Sequence, residues 1–97
     1  MAQKVKWTYR SIADRIAIYQ YWLQRNQSDS YPERLEQLFE RSADLISNFP
    51  YIGTKTNYRR VYSKVVGNYK IFYRLVKEEI QILRVWDARQ HPDSIVF

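Results

Sequence analysis

The C-terminal half of the chain interleaves cations with tyrosines: Tyr58, Arg59, Arg60, Tyr62, Lys64, Tyr69, Lys70, Tyr73 and Arg74 follow in close order, with Lys55 before them and Arg89 and His91 after. Guanidinium and ammonium groups hold phosphates, and tyrosine rings stack on bases. Such parts suffice for metal-free cleavage of a phosphodiester. Arginines would stabilise the pentacoordinate phosphate while a lysine, tyrosine or histidine passes protons to and from the reacting oxygens. The candidates for that chemistry are Arg59, Arg60, Lys64, Lys70, Arg89 and His91, and the candidates for gripping a nucleic acid or another target are Lys55, Tyr62, Tyr73 and Arg74. A structural role competes for each. Aromatic residues are favoured in strands, so most of the nine tyrosines can serve packing. His91, the one histidine, precedes Pro92 and suits a plain loop as well as it suits proton transfer.

Other chemistries are absent from the sequence. Without cysteine there is no disulfide scaffold, thiolate zinc site or cysteine nucleophile, and a single histidine argues against a histidine-rich metal site, so no metal and no cofactor are expected. There is no G-x-S-x-G elbow and no phosphate-binding glycine loop. The adjacent acids Glu78 and Glu79 fall in a predicted turn, where solvation explains them.

The net charge of +6 is uneven: residues 1–48 carry +1 and residues 49–97 carry +5, and no acid lies between Lys55 and Lys77. A field of this kind attracts RNA, DNA or an acidic protein segment. No apolar run approaches the ~20 residues that span a bilayer. The opening residues, Met1 to Trp7, lack an apolar signal segment, so a cytoplasmic protein without membrane contact is expected.

The elements that must position these residues can be read from punctuation and periodicity. At 97 residues, 45% of them hydrophobic and with only two glycines, the chain fits one domain spanning 1–97. Lys4 to Tyr9 alternates as a half-buried strand. Ser11 with Asp14 forms a capping-box pattern, and Ile12, Ile16, Tyr19 and Leu23 then recur at helical spacing until Asn26–Asp29. A second such pattern, Ser30 with Glu33 around Pro32, opens another helix whose apolar face is Leu35, Leu38, Phe39, Ser42, Leu45, Ile46 and Phe49, and Pro50 stops it. This helical hairpin lacks the glycine of a DNA-reading helix-turn-helix, and the basic charge lies elsewhere.

Three strands are predicted next. Arg59 to Val66 leads into Gly67-Asn68, a pair suited to a type II′ turn. Tyr69 to Val76 puts Tyr69, Ile71, Tyr73 and Leu75 on one face and Lys70 and Arg74 on the other, which is expected to be open. After a turn at Lys77 to Glu79, Ile80 to Trp86 is apolar enough for a central strand, and the apolar end Ser94 to Phe97 is expected to dock on the sheet or on a partner. The order β-α-α-β-β-β gives an α+β domain: an N-terminal strand and an antiparallel helical hairpin on a mainly antiparallel sheet, with Tyr69, Ile71 and Tyr73 expected to meet Ile16, Leu38 and Leu45.

This order, with Phe49-Pro50-Tyr51-Ile52-Gly53, Arg59-Arg60-Val61, Gly67 to Arg74, Ile80 to Trp86 and Ala88-Arg89-Gln90-His91-Pro92, resembles the RelE/ParE superfamily of bacterial type II toxins over roughly residues 4–92. The resemblance implies a small growth-arresting toxin in a hetero-oligomer with a cognate antitoxin, whose acidic or amphipathic C-terminal segment wraps over it. RelE-like members cut messenger RNA in the ribosomal A site with cationic residues on the sheet, and ParE-like members block DNA gyrase. By that resemblance Lys70 stands where RelE-like nucleases usually carry an arginine, Arg89 matches the arginine beyond the last strand, and Arg59, Arg60 and Lys64 lie near the earlier basic positions. No tyrosine follows Arg89 and no glutamate is placed on the sheet as a base. The long hairpin also looks more like ParE. The resemblance thus favours the ParE-like branch, with a ribosome-dependent mRNA endoribonuclease or a non-toxic basic nucleic-acid-binding module as alternatives.

Overall fold

The computed structural model describes residues 2–91 and 94–97. Its elements are β1 (Lys4–Trp7), α1 (Tyr9–Asn26), α2 (Ser30–Asn48), β2 (Thr54–Lys55), β3 (Tyr62–Val66), β4 (Tyr69–Val76) and β5 (Glu79–Asp87), and the sheet runs β1-β5-β4-β3-β2. β5 therefore lies inside the sheet, as its mostly apolar centre favours, parallel to β1 and antiparallel to β4. Gly67 has φ 60° and Asn68 does not share its sign, the arrangement of a type II′ turn between β3 and β4. The turn into β5 is only Lys77-Glu78, with Lys77 at φ 58°, because Glu79 already pairs with Val76 and Lys4.

β1 is four residues long and its pairing stops at Trp7 opposite Ile82, which leaves the rest of β5 with a bare edge. α1 covers that edge with polar groups. Thr8 N–H and Oγ1 both donate to the Ile82 carbonyl, at 3.1 and 2.7 Å, and Asp14 accepts from the Val85 N–H at 2.9 Å. Asp14 also takes a two-pronged contact from Arg84, at 2.8 and 2.9 Å. The expected capping box at Ser11 is accordingly not formed. The cap is Thr8, which accepts from the Ser11 N–H, and Ser11 is fully buried and donates to the Thr8 carbonyl. At α2, Ser30 is the first helical residue rather than the cap, and Glu33 accepts from the Tyr19 hydroxyl at 2.7 Å instead. That bond raises the Tyr19 pKa to about 12.

The main core lies between the helices and one face of the sheet. Leu35, Phe39, Ala43 and Ile46 of α2 meet Val66, Tyr69, Ile71, Tyr73, Ile80, Ile82 and Val85. From α1 the inward residues are Ser11, Asp14, Ile18 and Trp22, whose indole N–H donates to the Tyr69 hydroxyl at 2.7 Å. The expected contacts of Ile16, Leu38 and Leu45 with the sheet are thus corrected: these side chains are 53%, 39% and 37% exposed, and Ile12 and Leu23 point outward with them. The helix is rotated so that polar residues reach the β5 edge, leaving the apolar stripe at the surface.

The opposite face of the sheet is not open. The chain's end returns to it, and Ile95 is buried with Val61, Phe72 and Leu83 while Phe97 packs on Phe72 and Tyr58. A register shift in β5 beside Phe72 brings Leu83 to this face, and Arg84 donates to the Val96 carbonyl at 2.6 Å, so one guanidinium ties α1 to the tail. Among the described residues no helix is long and apolar enough to cross a membrane.

Candidate functional site

The strand predicted to begin at Arg59 begins at Tyr62, and this places Arg59 and Arg60 in a loop that follows Lys55, the last residue of β2. Thr56 N–H and Oγ1 both bond to the Val61 carbonyl, at 3.1 and 2.8 Å, Tyr58 N–H donates to Thr56 Oγ1 at 3.1 Å, and Val61 N–H donates to the Tyr58 carbonyl at 3.2 Å. The backbone of this loop is fixed by its own bonds. Lys55, Arg59 and Arg60 stand exposed around it and line a concavity of about 320 Å³ with Asn57, Tyr58 and Tyr62. Arg60 has φ 63°, a left-handed conformation that costs a residue with a side chain about 1–2 kcal/mol and that glycine or asparagine would accept more readily.

The remaining candidates go elsewhere. Lys64 lies opposite Ile71 on the helix side of the sheet, whereas Lys70, opposite Val65 and Trp86, belongs to the tail side. Arg74 is also on the tail side, where it donates to Gln81 at 3.0 Å. Arg89 lies beyond the end of β5 and pairs with Asp87 through contacts of 3.1 and 2.8 Å. Its guanidinium holds the Asp87 carboxyl below the usual carboxylate range. It lines a groove of about 410 Å³ between α1 and β5 together with Asp14, Tyr21, Tyr69 and Arg84, away from the loop. His91 is exposed beyond that strand, while Pro92 of the same motif lies outside the described residues. Thus Lys55, Arg59 and Arg60 are brought together, and Lys64, Lys70 and Arg89 are not.

Two tyrosines singled out by sequence part company. Tyr73, proposed as a target contact, is fully buried: its hydroxyl donates to the Pro50 carbonyl and accepts from the Gly53 N–H, both at 2.9 Å. Burial pushes its pKa up, and it holds the α2–β2 connection against the sheet. Gly53 is required there, because an added Cβ would stand 2.6 Å from the Tyr73 hydroxyl and 2.8 Å from the Ser63 carbonyl. Tyr62 stacks on Tyr73 with ring centroids 5.7 Å apart and stays half-buried at the loop, with the exposed Tyr51 against its edge. The groove pair Asp14 and Arg84 was not singled out by sequence, since two charges 70 residues apart carry no local signal.

The ion pairs among the described residues involve Arg15 with Glu36 and Glu40, Arg84 with Asp14, and Arg89 with Asp87. Lys55, Arg59, Arg60, Lys64, Lys70, Arg74 and Lys77 form none among the described residues, so no described carboxylate neutralises these seven cations. No group of three or more acidic, histidine or cysteine residues that could hold a metal occurs among the described residues.

Comparison with known proteins agrees with this architecture. The fold is similar to that of a chain from the chromosomal ParDE toxin–antitoxin system of P. aeruginosa, with a TM-score of 0.80 and 20% identity over 91% of this chain and 98% of that one. It is similar also to a chain of the RelBE2 toxin–antitoxin complex from Mycobacterium tuberculosis, with a TM-score of 0.64 and 20% identity over 90% of this chain and 99% of that one. No curated protein matches the chain in sequence. The sequence model described as the ParE toxin of the type II toxin–antitoxin system parDE matches residues 5–92, nearly the whole length. The chain therefore belongs to the ParE toxin family of type II toxin–antitoxin systems.

Proposed function

We propose that this ParE-family toxin arrests growth by inhibiting DNA gyrase and does not cut messenger RNA. The observation that carries this reading is the separation of the candidate nuclease residues. Lys70 lies on the tail side of the sheet, Lys64 on the helix side, and Arg89 beyond β5, where it pairs with Asp87. Phosphoryl transfer without a metal needs the proton-transfer groups and the phosphate clamp within hydrogen-bond reach of one reacting centre. These residues do not share such a centre, and Tyr73 is sealed inside the core.

We infer also that a cognate antitoxin holds the toxin in a hetero-oligomer. Both solved relatives come from toxin–antitoxin systems. On this chain Tyr9, Ile12, Ile16 and Leu23 form an exposed apolar stripe along α1, which an amphipathic segment of the antitoxin would cover. Induction of the chain in a bacterial host tests the reading. Growth arrest with DNA-damage signalling, intact transcripts and relief by the neighbouring antitoxin is expected. Codon-periodic cuts in ribosome-bound transcripts would instead establish the nuclease alternative.

A further inference from the structure

The loop from Thr56 to Val61 is a rigid and strongly charged surface feature. It carries Arg59 and Arg60 and stands beside Lys55, and none of the three is in an ion pair among the described residues. Its backbone is fixed by internal bonds although it contains no glycine. It also keeps an arginine at φ 63°, where glycine or asparagine would sit with less strain. Strain held at a rigid, charged, solvent-facing position points to a use for the side chain. The neighbouring surface supplies groups that contact phosphates and sugars: the Asn57 side chain and the exposed ring of Tyr51 against Tyr62. Phe97 packs edge-on against Tyr58, which stays partly exposed, so an acidic peptide is told from a nucleic acid by the glutamate oligomer used below.

We propose that the loop is a phosphodiester-backbone clamp: Lys55, Arg59 and Arg60 grip the phosphates of a nucleic acid strand without reading its sequence. The loop backbone is already ordered, so binding has only the three side chains to fix, and the concavity of about 320 Å³ lies among them. The clamp is independent of whether gyrase is the target.

Fluorescence anisotropy of the full chain with a labelled duplex DNA of about 20 base pairs, and with a single-stranded RNA of the same length, tests the clamp. Three phosphate contacts predict a log–log salt slope near −2.7 on the duplex, or roughly a 40-fold loss of affinity between about 50 and 200 mM salt. The triple variant Lys55→Ala, Arg59→Ala, Arg60→Asn should lose that binding and flatten the slope, asparagine being chosen because it accepts the left-handed backbone. Removing Arg10, Arg34 and Arg41 from the helices, each by change to Ala, should alter affinity by no more than about 2-fold. Tighter binding of either nucleic acid supports the clamp and identifies its source. Equal losses in the two triple variants would overturn it, as would no binding at low salt. A glutamate oligomer that binds as tightly as the duplex and is lost with the same loop variant would also overturn it, in favour of an acidic protein partner.

Discussion

The two faces of the sheet are covered by very different means. On one, two helices of 18 and 19 residues bury a continuous core of aromatic and branched side chains. On the other, the last residues of the chain place Ile95 and Phe97 on a patch made by Val61, Phe72 and Leu83. The first face makes the fold stable. The second closes a small satellite core with few contacts, and local opening is concentrated in such thinly packed segments. Arg84 joins the two covers, since its guanidinium meets both Asp14 of α1 and the Val96 carbonyl.

The largest effect that sharpens this contrast is expected from Phe39→Ala. Phe39 is fully buried and meets Tyr69 edge-to-face at 5.7 Å, so its truncation should cost about 3–5 kcal/mol, measured by urea unfolding. That is a large part of the ~5–15 kcal/mol typical of a domain. A loss below about 1 kcal/mol would show that the helix face is not the principal core. Removing residues 94–97 should cost less, about 1–3 kcal/mol, and should increase binding of an apolar dye while amide protection in β4 and β5 persists. Global unfolding of the truncated chain would break the distinction between a main and a satellite core.

Tyr73→Phe gives the smallest effect, about 1–2 kcal/mol at neutral pH, because it leaves the Gly53 N–H and the Pro50 carbonyl without their partner. The same variant carries a pH signature. Burial raises the Tyr73 pKa above its ordinary 10.0, so the folded state favours the protonated phenol. Below pH 10 the phenol is protonated in both states and the native hydroxyl bonds are intact. Above it the unfolded chain ionises first, and stability falls until pH passes the raised native value. Tyr69, also raised by burial, acts in the same direction. Unfolding curves across the alkaline range should therefore be flatter for Tyr73→Phe than for the parent, and identical slopes would contradict the assignment.

Much of the fold was legible in the sequence because local signals agreed with the global arrangement. The mostly apolar stretch of Ile80 to Trp86, interrupted only by Gln81 and Arg84, marked an interior strand, Gly67 marked the hairpin, and Pro50 marked the end of α2. The orientation of α1 was not legible. Its most regular apolar stripe, Ile12, Ile16 and Leu23, faces outward, since the short β1 leaves an edge of β5 that only polar groups from α1 can satisfy. That requirement depends on where β1 ends relative to β5, a long-range relation without a local pattern. The candidate site divided in the same way. Lys55, Arg59 and Arg60 meet because they are close in sequence, whereas Lys64 and Lys70 part because the alternation of neighbouring strands sends them to opposite faces. Tyr73 looked like a ligand contact because strand alternation alone does not distinguish a buried phenol with two backbone partners from an exposed one.

Supercoiling of relaxed plasmid by purified DNA gyrase, with the chain added in increasing amounts, decides whether gyrase is the target. Loss of supercoiling with accumulation of cleaved plasmid is expected, suppressed by the antitoxin and retained in the double variant Lys70→Ala, Arg89→Ala. Full gyrase activity at every concentration, together with growth arrest abolished by that double variant, would contradict gyrase inhibition.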